Sequence, residues 1–215
     1  MAGLETHYSS GANALVLELG KDVDSFRNGT LSLADFIRNA TEVACALKTG
    51  LRMVPDFIHA CEAARSFTPC REKPVHSQTL SETRHYRITL LGIHRESPVP
   101  VHDHPGMISL VLLLEGQLHA PQYEISEQRR GSMFVQLVTR SKDILQPEDI
   151  AIVMNETGSL HGLQPLDRNA VCLTIQLRIE QERTPRSWYF PLTSRQRNRS
   201  ALWYRIEDKE ISNGI

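Results

Sequence analysis

The chain has 215 residues and a formal net charge of −1, with 40% hydrophobic and 23% charged residues. That is the make-up of an ordinary globular domain long enough to bury a core, and nothing in its charge balance points to a nucleic-acid partner. No signal peptide or membrane-length apolar run stands out, and the four cysteines (45, 61, 70 and 172) lack CxxC or framework spacing, so a cytoplasmic protein with free thiols is expected.

Residues 1–12 are rich in Gly and Ser and read as a loose end. From Thr30 to Gly50, Leu33, Phe36, Ile37, Ala40, Val43, Ala44 and Leu47 follow helical spacing, and Ser32 with Asp35 three later resembles a capping box. A shorter helix is expected at Pro55–Arg65, with proline in its first turn. These helices are expected outside a β-domain, which divides the chain into a helical segment at 1–73 and a barrel at 74–215, with a small separate helical domain as the alternative.

Strands are predicted where apolar and polar residues alternate: Arg84–Ile93, Met133–Thr139, Ile150–Met154 and Val171–Ile179. Between the first two lies the stretch that carries chemistry, PVHDHPGMISLVLLLEGQLHAPQY, from Pro100 to Tyr123. On an extended backbone His102 and His104 point to one side, which is a metal-ligand spacing. Pro105-Gly106, an apolar run to Leu114, a turn at Glu115-Gly116 and a second alternating stretch then read as a hairpin with the metal site at its entrance. Many short strands separated by turn signals predict an antiparallel barrel or jelly roll.

The spacing of His102, His104 and Gly116 matches the first motif of the cupin family, and Gly158-Ser159-Leu160-His161 resembles the second. Ser109 stands where most metal-binding cupins have a glutamate, so the site resembles the three-histidine variety: His102, His104 and His161. The words HDHPGM at 102–107 resemble the thiol dioxygenases, most closely the cysteamine dioxygenase and plant cysteine oxidase branch, with a likeness covering residues 74–205. The resemblance implies a mainly β cupin fold (a double-stranded β-helix or jelly-roll barrel) with N-terminal α-helices packed outside. It also implies a non-haem Fe(II) cofactor and a reaction adding both atoms of O2 to the sulfur of a small thiol, giving a sulfinate. The partners implied are the thiol and O2, with no membrane; the sequence leaves the thiol and the oligomeric state open. Imidazoles alone do not select iron, so Fe(II) rests on the resemblance.

After His161 the alternation is clean, with Val171, Leu173, Ile175, Leu177 and Ile179 on one face and Cys172, Thr174, Gln176 and Arg178 on the other. Counted from the third histidine, Thr174, Gln176 and Arg178 fall at positions that line the cavity in cysteine dioxygenases. The resemblance therefore makes Thr174 and Gln176 catalytic candidates and Arg178 a substrate-carboxylate anchor. Tyr189, in Arg186-Ser187-Trp188-Tyr189, resembles a tyrosine of the cysteamine branch and joins the catalytic candidates, with a structural aromatic as the other reading. His119 and Asp103 are expected off the metal. A metal cupin of another reaction type, or a non-catalytic sensor cupin, is the alternative.

Overall fold

The computed structural model describes residues 10–51, 55–70, 74–83, 86–128, 132–154, 159–178, 186–192 and 200–207. Three helices, α1 (Ser10–Arg27), α2 (Leu33–Leu51) and α3 (Pro55–Ser66), precede eleven strands. The strands are β1 (His76–Glu82), β2 (Tyr86–Ile93), β3 (Val99–Asp103), β4 (Met107–Glu115), β5 (Leu118–Gln128), β6 (Phe134–Leu145), β7 (Ile150–Val153), β8 (Leu160–Pro165), β9 (Ala170–Arg178), β10 (Ser187–Pro191) and β11 (Ser200–Glu207).

Ser32 caps α2 as expected, accepting from the Asp35 N–H at 3.1 Å while its hydroxyl donates to the Asp35 carboxylate at 2.6 Å. The expectation for the N-terminus needs correction, because α1 begins at Ser10, within the stretch read as loose. Leu19, Val23 and Phe26 recur at helical spacing, Leu19 and Val23 are buried, and Phe26 stacks on Phe36 of α2 at 5.1 Å. Gly20 in the middle of that pattern hid it.

The strands form two antiparallel layers. One is a five-stranded sheet in the order β1-β2-β9-β4-β7; the other, β10-β11-β6-β5-β8-β3, closes on itself as β3 returns to β10. The helices cover the outer face of the five-stranded sheet. Phe36, Ala40, Leu47, Phe57 and Ala64 share a core with Ile88, Leu90, Leu110, Leu112, Leu173, Ile175 and Leu177. Packing there is close enough that a Cβ on Gly92 would lie 2.3 Å from the Ala64 carbonyl oxygen. Side-chain ties fasten the same elements: Lys48 of α2 to Glu148 at 2.7 Å, and both guanidinium ends of Arg65 of α3 to Glu115.

The expected hairpin at Glu115-Gly116 is not one. β4 pairs with β7 and β9, whereas β5 pairs with β6 and β8, so the turn crosses from one layer to the other. Gly116 adopts φ 90°, and a Cβ there would meet the Asn169 carbonyl oxygen at 2.9 Å. Neighbours in sequence are thus separated in space, as a jelly roll requires.

The facing surfaces of the layers meet in an apolar plug at one end, built from Ile93, Val111, Leu113, Leu118, Ala120, Leu163 and Cys172. A second, smaller core of Val101, Val135, Leu137, Leu160 and Tyr189 fills the closed layer on its other side. β3 and β8 therefore have protein on both faces, and the strand bearing His102 is held from front and back.

Candidate metal centre

Strand register assembles the site. His102 of β3 lies directly opposite His161 of β8, and on either side of that pair come Trp188 of β10 and Gln122 of β5. Directly opposed residues share a face, so these four side chains form one row. Across the gap the five-stranded sheet presents Glu82, Arg87, Gln176, Ser109 and Val153, again a single register row. Gln122 reaches over, its amide donating to the Ile152 carbonyl at 3.4 Å.

His104 follows the end of β3. It opens a turn in which Met107 N–H donates to its carbonyl at 3.1 Å, with Pro105 and Gly106 (φ 67°) at the centre, the residues that a type II turn favours. The turn holds the third imidazole over the other two. One ring nitrogen from each histidine lies within 4.8 Å of the others, all three are buried, and the His104 and His161 Nε2 atoms are 2.9 Å apart.

The tautomer of His102 follows from its surroundings. Its Nδ1 stands 2.9 Å from the Pro100 carbonyl, which can only accept, so Nδ1 carries the proton and Nε2 keeps its lone pair. Burial keeps all three rings neutral. It is the first cause holding His102 and His104 well below the ordinary histidine range, with the His161 and Arg186 charges adding, and it brings His161 down to about 3.

Neutral, converging imidazoles with no carboxylate among them fit a divalent transition metal. Two nitrogens about 2.1 Å from a common cation and at right angles to each other stand ~3 Å apart, close to the His104–His161 separation. His102, His104 and His161 are the residues that would hold it, and Ser109, buried on β4, lies in the row across the gap from them.

The family model PCO_ADO matches residues 40–178, more than half of the chain. The chain belongs to the plant cysteine oxidase / cysteamine dioxygenase family. This is a thiol dioxygenase family with a cupin fold and a three-histidine site, which implies a non-haem metal. Among solved structures, similar ones include KdgF from a Halomonas species (13% identity, 52% of this chain and 86% of that one, TM-score 0.39). The Cnp3 cupin domain of Schizosaccharomyces pombe is 10% identical over 53% of this chain and 69% of that one, TM-score 0.39. The TT1209 protein of Thermus thermophilus is 16% identical over 53% and 91%, TM-score 0.39. A comparison with curated proteins gives no match.

The other residues singled out in this family member fall in different places. Gly158 of the second motif lies outside the described residues. Thr174 and Gln176 are on the face of β9 turned toward the histidines, the same face as Cys172 in the plug. Thr174 is buried and spends its hydroxyl proton on the Thr89 carbonyl at 3.2 Å. Arg178, at the end of that row, donates from Nη2 to Glu82 at 2.6 Å and from Nη1 to the Thr83 carbonyl at 3.0 Å.

Tyr189 is not brought to this cavity. It pairs with Val101, one residue out of phase with His102, and so sits in the small core behind β3 with its hydroxyl 3.3 Å from Asp103. Burial, then the Asp103 carboxylate, pushes the phenol up to about 12. Asp103 also points away from the metal face, as the alternation of a strand requires, and burial raises its carboxyl above the usual range. His119 pairs with Gln164, out of phase with the metal row.

The sequence reading missed Trp188, whose ring lies 4.9 Å from that of His102, with the Arg186 guanidinium 5.6 Å over its own ring. It also missed Arg87, whose place beside Gln176 depends on pairing across two strands. The available signal for Trp188 was its position next to Tyr189, in opposite phase.

Proposed function

We propose that this protein is an Fe(II)-dependent thiol dioxygenase that adds both atoms of O2 to the sulfur of a small thiol, giving a sulfinate. The observation that carries the reading is the set of three buried, neutral imidazoles that group with no carboxylate among the described residues. Iron held there would supply a cationic centre that favours the thiolate form of a substrate and a redox partner for dioxygen.

The chain's own residues would bind, orient and exclude water. The apolar plug of Val111, Leu113, Ala120 and Leu163 closes the space beneath the histidines, which leaves entry at the opposite, polar end. There Gln176 offers an amide that can donate to or accept from the substrate, and Thr174, its proton committed to Thr89, offers lone pairs. Arg87 and Arg178 both reach the carboxylate of Glu82, at 2.7 and 2.6 Å, which places two guanidinium groups at the mouth. A guanidinium on the face of β9 turned toward the histidines has the fork geometry to bind a carboxylate, which supports Arg178 as the anchor for a substrate such as cysteine or a mercapto acid. Four cysteines, none joined in a disulfide, suit a reducing cytoplasm as the place of work.

Anaerobic loading with iron, followed by oxygen uptake with cysteine, cysteamine, 3-mercaptopropionate and a peptide with N-terminal cysteine, tests the reading. One O2 consumed per sulfinate formed with at least one thiol is the expected result. Stoichiometric iron with no thiol-dependent uptake across the panel would overturn it in favour of a non-catalytic sensor cupin. Uptake that requires a carbon substrate instead would favour a cupin of another reaction type.

A further inference from the structure

Asp103 has no part in the site as described, yet it is a largely buried carboxylate between two of the three histidines. All of its donors in the described structure come from the C-terminal hairpin. The backbone N–H of Ser187 donates to Oδ1 at 2.7 Å and the Tyr189 hydroxyl to Oδ2 at 3.3 Å. Behind them Arg205 of β11 donates from Nε to the Ser187 hydroxyl at 2.9 Å. Ser187 and Tyr189 are themselves fully buried, so this is a built network, closed to water on the hairpin side.

The ladder between β10 and β3 is only two residues long, Trp188 with His102 and Tyr189 with Val101. Such a short ladder fixes a strand weakly, and what it lacks is made up by side chains on both faces. In front, the Trp188 ring packs at 4.9 Å on His102; behind, Asp103 is held at both carboxylate oxygens. Because Asp103 is bonded in the chain to both His102 and His104, fixing its carboxylate fixes the strand end from which the two imidazoles project.

We propose that Asp103 is a positioning residue: it latches the C-terminal hairpin to the ligand strand, so that metal affinity depends on the hydrogen bonds of Ser187 and Tyr189 to its carboxylate. The inference rests on reading the three imidazoles as metal ligands and needs no turnover. Tyr189 then acts on the metal through Asp103, from the far side of the strand, and not by touching substrate.

The test uses the full chain with Co(II), which reports its ligand geometry in the visible spectrum. Affinity is read by competition with a chelator, and folding by near-UV circular dichroism and the melting temperature without metal. Asp103→Ala is expected to lose about 10–100-fold in Co(II) affinity and to alter the cobalt spectrum, the range seen when outer partners of ligands are removed. Asp103→Asn, which keeps an acceptor for the Ser187 N–H, should recover most of that loss. Should Asp103→Ala fail to fold, Tyr189→Phe decides the matter, since it removes one hydroxyl and keeps the buried ring. Several-fold weaker cobalt binding with an unchanged metal-free melting temperature supports the latch. Parental affinity and spectrum in Tyr189→Phe, and in any Asp103→Ala that folds, would overturn it. A parent chain that takes up no cobalt would overturn the metal reading together with the latch, whereas cobalt bound without thiol oxidation would count only against the dioxygenase assignment.

Discussion

The Nε2 atoms of His104 and His161, 57 positions apart in the chain, stand 2.9 Å from each other in a space that a third imidazole completes. Replacing either by alanine removes one of three donors and is expected to lower metal affinity by more than the ~10–100-fold typical of outer partners. His119, out of phase with the row, serves as the control. Metal analysis after reconstitution and gel filtration should find stoichiometric metal in His119→Ala and little in His161→Ala; equal retention in both would remove the three-histidine site.

The same burial makes the metal-free protein acid-sensitive. His161 has its folded value pushed down to about 3, against an unfolded value near 6.5, so between those limits the unfolded chain takes up the proton and the folded chain does not. Stability is therefore full above pH 6.5 and falls as pH drops toward 3, by ~1.4 kcal/mol per pH unit for this one group. Between pH 6.5 and 5 that is ~2 kcal/mol, or about 4–8 °C in the melting temperature of a domain this size. His161→Gln should flatten the slope. Parallel melting curves for parent and variant across that range would contradict the account.

At the polar end, Arg178 and Arg87 compete for Glu82. If Arg178 also meets the substrate carboxylate, Arg178→Ala should raise the KM for 3-mercaptopropionate by about 10-fold or more, the worth of one charge-assisted hydrogen bond. Cysteamine, which lacks the carboxylate, should change little. Steady-state oxygen uptake with the two substrates gives the comparison, and an equal change in both would assign Arg178 a purely structural tie to Glu82 and the Thr83 carbonyl.

Gly92 is where α3 comes down on the sheet. Gly92→Ala would drive a methyl group against the Ala64 carbonyl oxygen and is expected to cost ~1–3 kcal/mol, or about 2–4 °C in melting temperature per kcal/mol. Gly20→Ala, with nothing within 4 Å in mid-helix, should stabilise by ~0.5–1 kcal/mol. Thermal melts of the pair read the sign directly.

Glu148 combines an ion pair to Lys48 with φ 87°, a conformation that side chains resist. Both Glu148→Ala and Glu148→Gly lose the pair, but only glycine relieves the backbone, so the glycine variant should be the more stable by about 1 kcal/mol. Equal denaturation midpoints would mean that the turn carries no strain.

The legible part of the molecule was its local chemistry. The spacing of His102 and His104, the capping of α2 by Ser32 and the alternation along β9 are each set within a few residues, and each is in place. What could not be read was pairing. The apolar run of β4 looked like one arm of a hairpin because sequence gives the turn and not the partner, and here the turn at Gly116 joins two layers. Tyr189 was grouped with Thr174 and Gln176 for the same reason: a one-residue difference in phase decides which side of β3 it occupies, and only the Trp188–His102 pairing reveals that phase. Arg87 and Glu82 were invisible as neighbours of the site until β1, β2 and β9 were laid side by side.

His102 and His161 face each other as direct ladder partners, so no flexible loop separates the correctness of the strand alignment from the competence of the centre. A slip of β3 against β8 by one position would turn His102 to the far side and bring Val101 into its place. A chain so misaligned could still bury its valines and leucines but would no longer present three imidazoles to one point, so the ladder register that builds the sheet is also what builds the donor set.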